Sequence, residues 1–227
     1  MGYQLHMYYN SYITGGNVMS KQQSNREKRY QTIIDSAERL FTKNSWETVQ
    51  MQHIADAAGI GVATLFRYFP KKELVIIAVA EQLLSRELGF FHAIQEKKLS
   101  GFEKIEAIFH QYNRLKTPEV IDEAKFIDRF DANIGDIEDY ETAAAKYFEI
   151  RKEIAVIVKN IVQEGQADGS LPQGASMMDE IMTMINNFGL FARKLALMND
   201  ILELEATPDA KQQLSIIHDM YMVRLRS

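Results

Sequence analysis

Helix breakers are scarce in this chain. Four prolines and twelve glycines are spread over 227 residues, and the stretches between them are rich in Ala, Leu, Ile, Glu, Lys and Gln, which enter helices at little cost. A chain punctuated so rarely is not assembled from many short strands joined by tight turns, so the sequence predicts an all-α fold. Its apolar share of 46% suffices for a sizeable core. No apolar run approaches the ~18–20 residues of a membrane-spanning helix. The absence of cysteine removes disulfide scaffolds, thiolate metal centres, iron–sulfur clusters and thiol nucleophiles together.

Residues 1–20 carry no charge and no helical period, and they lack the basic and apolar regions of a secretory signal. Residues 1–24 are expected to form a disordered tail, with the first eighteen an extension ahead of Met19. From Arg26, Ile33, Ala37, Leu40 and Phe41 fall on one helical face, and this helix should stop near Asn44-Ser45. Short helices are predicted over Met51–Ala58 and Val62–Phe69, which places a compact unit at residues 25–73. Longer helices follow in 74–227: Glu73 to Glu96, Phe102 to Lys116, one beginning at Pro118, Ile137 to Gly165, Ser176 to Met198 and Asp209 to Leu225. The segment Asp168-Gly169-Ser170-Leu171-Pro172-Gln173-Gly174 is the strongest turn signal.

Two short helices packed at a steep angle need a small residue at their closest approach, a glycine in the turn and apolar residues at fixed offsets. Ile54, Ala55, Ala58, Gly59, Ile60, Leu65 and Tyr68 fill those positions. The run from Met51 to Leu74, with Thr64-Leu65-Phe66-Arg67-Tyr68-Phe69-Pro70 followed by Lys72-Glu73-Leu74, resembles the DNA-binding signature of the TetR/AcrR family of bacterial regulators. Ala37 to Phe41 and Trp46-Glu47 match as well, so the resemblance covers roughly residues 25–75. It implies a homodimeric, cytoplasmic, ligand-responsive regulator. In that picture a repressor binds a palindromic operator through an N-terminal helix-turn-helix domain and is released by a small-molecule effector held in a C-terminal helical domain.

Carried over by position, the resemblance puts Gln52, Gly61, Val62, Ala63, Thr64, Phe66, Arg67, Tyr68 and Lys72 at the DNA, with Lys72 clamping a phosphate. Phe69, in phase with Leu65, is expected in the core and Phe66 on the surface. Three departures stand out. Gln50 and His53 replace the usual Ser/Thr and acid of the second helix's capping box and are not expected to form one, leaving Thr48 as an alternative cap. Gly61 stands for a common serine. Val62 stands for a polar residue and can meet a thymine methyl but cannot donate to guanine.

The net charge of −5 speaks against a nucleic-acid partner only if it is evenly spread. Residues 21–75 hold nine Lys and Arg against six acids, or +3. The remainder holds 17 against 25, or −8. The head is therefore suited to phosphates and the body is not.

In the larger domain Phe109, Tyr112, Phe126, Phe130 and Tyr147 are the expected lining of an apolar effector cavity. Met184, Phe188, Phe191, Leu195, Leu214, Ile217 and Tyr221, on the last two helices, are the expected dimer interface. The acids Asp128, Asp131, Asp136, Glu138, Asp139 and Glu141 lack calcium-loop spacing and read as a solvated face. The histidines His6, His53, His92, His110 and His218 show no HExxH pattern, and no phosphate loop or nucleophile elbow occurs. The sequence thus predicts no enzyme, metal or cofactor. The alternative is a DNA-associated architectural or division-control protein of the same fold without an effector.

Overall fold

A computed structural model describes residues 21–112, 118–198 and 209–226. The described residues form ten α-helices: α1 Lys21–Lys43, α2 Met51–Ala57, α3 Val62–Tyr68, α4 Lys72–Gln95, α5 Gly101–Tyr112, α6 Pro118–Asn133, α7 Tyr140–Ala143, α8 Ala145–Ala167, α9 Met177–Met198 and α10 Ala210–Arg226. The expected extension over the first eighteen residues lies outside the described residues. The expected tail is corrected at its end, because residues 21–24 already belong to α1.

α1 buries Ile33, Ile34, Ala37 and Phe41 on one face, each worth roughly 1.5–3 kcal/mol for the large side chains. α4 is buried around much of its circumference from Val75 to Leu84, as expected of a helix enclosed on several sides. It runs through both cores. The first gathers α1–α3, the first half of α4, and Phe126, Phe130, Ala144, Tyr147 and Ile150. The second gathers Phe91 and Ile94 with α5, the C-terminal half of α8, α9 and α10. One helix thus connects the short-helix head to the C-terminal bundle.

Ser100 and Glu103 form a capping box at α5: Ser100 N–H donates to Glu103 Oε2 at 2.8 Å, and Glu103 N–H to Ser100 Oγ at 3.3 Å. The turn that follows α8 closes over the same helix end. Gly101 N–H donates to Asp168 Oδ2 and Phe102 N–H to Ser170 Oγ, both at 3.0 Å. Gly101 is required there, since a Cβ on it would collide with the Gly165 backbone.

The single helix expected over Ile137–Gly165 is interrupted. A 3-10 turn at Ile134–Asp136 is followed by α7, and α8 starts only after Ala144. Asp139 enters α7 with φ +56°, a left-handed conformation that Asp tolerates. Its carboxylate accepts the Thr142 hydroxyl at 3.0 Å, a local bond that competes with continuous helix. The acidic stretch is only partly a solvated face: Asp128 pairs with Arg193, Asp131 with Arg151, and Glu138 with Lys71.

Candidate nucleic-acid interface

Ile54, Ala55 and Leu65 have no exposed surface and form the contact between α2 and α3. The chain turns between them at Gly59, with φ +66°, a region where a Cβ is penalised. Ala58 N–H donates to Ile54 O at 2.9 Å and Ile60 N–H to Ala55 O at 3.0 Å, so the end of α2 is tied off before Gly61 starts α3. Ser36 on α1 donates to Ala57 O at 3.3 Å, securing the pair to the first helix.

The start of α2 differs from the expectation. Gln50 is the N-cap, and its N–H donates to His53 Nδ1 at 3.2 Å. An imidazole therefore performs the reciprocal half of a capping box that was not expected to form. Thr48 does not cap α2; its hydroxyl donates to Ser45 O at 2.7 Å.

Gly61, the N-cap of α3, and Ala63, Phe66 and Arg67 on the helix are exposed, and Val62, Thr64 and Tyr68 are less open to solvent. Phe66 is 45% exposed while Phe69 is 3% exposed, because Phe69 stacks on Tyr30 of α1 at 5.2 Å. Gln52 is exposed on α2 and donates to Asp56 Oδ1 at 2.7 Å. Gln52, Gly61, Ala63, Phe66 and Arg67 are thus open to solvent, while Val62 and Tyr68 pack in part against the first core.

Lys72 behaves differently from its expected phosphate role. Its ammonium donates to Trp46 O at 2.9 Å and Val49 O at 3.2 Å, so two of its three donors hold the loop between α1 and α2. The sequence shows a lysine beside a helix start, but not that loop carbonyls converge on it. Its neighbour Lys71 is exposed and pairs with Glu138 at 2.8 Å.

The same loop is gripped from the body. Arg129 of α6 lies 4.6 Å above the Trp46 ring and bonds to Glu47. Phe126 meets Trp46 edge-on at 5.9 Å. The Ser45 hydroxyl, chiefly, and the Arg129 guanidinium hold the Glu47 carboxyl down at about 2. Between α1 and α4, Gln82 of α4 donates to Glu38 at 2.6 Å and to Asp35 at 3.1 Å, and Arg86 donates to Glu38 at 2.8 Å. An open cleft of about 430 Å³ lies along this α1–α4 seam. Glu81, which lines it, is pushed up to about 7 by burial, against the opposing pull of Lys146.

The expected effector lining does not come together. Phe126, Phe130 and Tyr147 belong to the first core and Phe109 to the second. Tyr147 is already satisfied, donating to Asp131 Oδ1 at 2.6 Å and packing edge-on against Phe130 at 4.9 Å. Burial and the Asp131 carboxylate push its phenol well above the ordinary range. The Tyr112 side chain lies outside the described residues. The expected dimer set is also redistributed: Phe188 and Leu195 are buried within the chain, while Met184, Leu214, Ile217 and Tyr221 pack against the second core. Phe191 is half-buried. Among the described residues, the large apolar side chains that α9 and α10 leave exposed are Leu190 at 55%, Ile216, Met220 at 64% and Val223 at 71%. Ile216, Met220 and Val223 recur at i, i+4 and i+7, one stripe of α10.

A pair of short helices on a longer first helix, joined through α4 to a helical body, has the layout of a helix-turn-helix domain. Residues 33–79 match the family described as bacterial regulatory proteins, tetR family. The chain is 37% identical over 67 residues to the transcriptional repressor KstR of Mycobacterium tuberculosis, covering 30% of this chain and 29% of that protein. It is 27% identical over 150 residues to the repressor KstR2 of Mycolicibacterium smegmatis, covering 63% and 67% respectively. The fold matches that of the regulator FadR from Bacillus subtilis, solved with stearoyl-CoA, with a TM-score of 0.59 at 17% identity over 86% of this chain and 99% of that one. The head of this chain, over residues 33–79, is thus similar to the DNA-binding segment of tetR-family regulators. These relatives are named as transcriptional regulators, and the matched segment spans under a third of KstR. Among the described residues no helix is long and apolar enough to cross a membrane.

Proposed function

We propose that this protein is a cytoplasmic, ligand-responsive repressor that binds a palindromic operator as a homodimer and leaves it when a small molecule occupies the body. The exposed Gln52, Gly61, Ala63, Phe66 and Arg67, together with the half-buried Val62, Thr64 and Tyr68 and the buried Ile54, Ala55 and Leu65 that pack α2 on α3, carry this reading. Thr64 and Gln52 supply hydrogen bonds to base edges, Val62 and Ala63 apolar contact with thymine methyls, and Arg67 and Tyr68 contacts with phosphate. The head's charge of +3 supports the electrostatic part of binding. Lys72 contributes by fixing the loop ahead of α2, with one donor left for the backbone.

A two-fold operator needs two heads one helical turn apart. The α10 stripe of Ile216, Met220 and Val223, with Leu190 of α9, supplies a self-complementary apolar face for that dimer. The effector acts on α4, whose far end is seated among α5 and α8–α10 while its near end holds the head. Long-chain acyl-CoA, the ligand of the Bacillus subtilis FadR structure, is the first compound to test.

A gel-shift assay on fragments flanking the protein's own gene tests the reading. One sequence-specific complex of two chains is expected at low salt, weakened as salt rises and dissociated by the effector. Failure to form a specific complex at low salt would sink it. A complex that forms but resists acyl-CoA and a broad panel of small molecules, with no thermal shift from any of them, would favour the architectural alternative.

A further inference from the structure

Glu106 and His110 stand one turn apart on α5, and His218 approaches them from α10. One donor atom from each of the three side chains lies within 4.8 Å of the other two. The His110 and His218 ring centroids are 5.0 Å apart. His218 Nδ1 is 3.2 Å from Asp219 Oδ1, an arrangement in which the carboxylate retains the proton on Nδ1 and leaves a lone pair on Nε2. That Nε2 is shielded from solvent and has no hydrogen-bond partner among the described residues. A polar atom in this position carries a desolvation cost that a ligand would offset.

We propose that Glu106, His110 and His218 bind one divalent first-row transition ion, with zinc the best fit. Two imidazoles and one carboxylate suit zinc, cobalt, nickel or copper, and disfavour magnesium and calcium, which take oxygen donors. Three protein ligands leave a fourth position for water or an external ligand. Donors about 2.0–2.2 Å from a tetrahedral ion are roughly 3.3 Å from one another, so a pair at the 4.8 Å limit closes by about 1.5 Å on binding. Side-chain rotation provides that movement. His110 is exposed, and the ion pair of Glu106 with Arg226 is long, at 3.9 Å. His218, oriented by Asp219 and lying edge-on to Phe109 at 6.5 Å, provides the fixed corner.

The ion would join α10 to α5 beside the Phe109, Phe188 and Tyr221 cluster. Sequence spacing alone does not reveal the site. Glu106 and His110 supply an i, i+4 pair, but the third donor comes from the last helix and is brought in only by packing.

The test uses the untagged full-length chain, stripped with a chelator and titrated with Zn²⁺ by calorimetry and thermal denaturation. One ion per chain is expected, with Tm raised by roughly 5–10 °C at a hundredfold excess over Kd. Co²⁺ should give the intense visible absorption of a low-coordinate nitrogen and oxygen site. Glu106→Gln and His110→Ala change side chains outside the core, so both should keep the wild-type circular dichroism and each lose at least tenfold in Zn²⁺ affinity. Asp219→Asn should lose about tenfold or more through the orientation of His218. Absence of Zn²⁺ binding at millimolar concentration overturns the proposal. So does a Tm rise that survives in the Glu106→Gln/His110→Ala double variant.

Discussion

Replacing Lys72 with alanine separates a structural from a DNA-contacting role for the lysine that starts α4. The ammonium donates to Trp46 O at 2.9 Å and Val49 O at 3.2 Å. Hydrogen bonds to a charged group contribute ~1.5–3 kcal/mol each when well enclosed. The side chain is only half-buried, and water can reach the freed carbonyls in part, so the pair together is worth about 2 kcal/mol. For a chain of this length that lowers Tm by roughly 4–8 °C. Thermal denaturation followed by circular dichroism measures this directly. Operator affinity should fall alongside, because the loop sets the position of α2, while the slope of log K against log salt stays near that of wild type. Removal of one cation that neutralises a phosphate would instead make the slope shallower by ~0.9. An unchanged Tm together with a slope shallower by that amount would return Lys72 to phosphate clamping and refute its role in holding the loop. Lys71→Ala is the companion: both it and its partner Glu138 are exposed, so Tm should barely change.

Gly101→Ala places a methyl 2.9 Å from Ile161 O and closer still to the Gly165 backbone, forcing α5 off its Asp168 and Ser170 partners. A loss of about 3 kcal/mol in urea denaturation is expected. Gly89→Ala, in α4 where a Cβ meets nothing within 4 Å, should instead gain up to ~1 kcal/mol; equal effects from the two variants would contradict the close approach of α5 and α8. Glu81 has a folded pKa of about 7 against 4.5 when unperturbed, so its protonated form is favoured by folding. The corresponding stability is fully present below pH 4.5 and lost as pH rises through about 7, on the order of 3 kcal/mol. Glu81→Gln should remove that slope from a stability–pH profile, and a profile unaltered by the substitution would count against burial of the carboxyl. Met220→Glu with Val223→Lys should give a monomer in analytical ultracentrifugation without loss of helix content; a persistent dimer would direct the interface elsewhere.

The helix-turn-helix was legible in the sequence because its determinants are local. Ile54, Ala55, Gly59 and Leu65 lie within twelve residues, and the helical period together with one left-handed glycine leaves little freedom for packing them. The burial of Phe69 and the exposure of Phe66 followed from the same period. At α2 the pattern misled, since an imidazole at the right rotamer can accept the N-cap amide that an acid usually takes. Over Ile137–Gly165, apolar spacing continued across a break that depends on the backbone at Asp139 and Ala144.

By itself the sequence determined the all-α class, the placement of the head and the separation of a basic head from an acidic body, because composition and short-range periodicity suffice for each. Tertiary structure alone decided that Phe109 lies in a different core from Phe126, Phe130 and Tyr147, that Lys72 holds a loop, that Ile216, Met220 and Val223 are the uncovered face of α10, and that His218 meets Glu106 and His110. Periodicity fixes which side chains share a helix face. Only the packing of one helix on another determines which face meets which, and with it which polar atoms are left to bind something else.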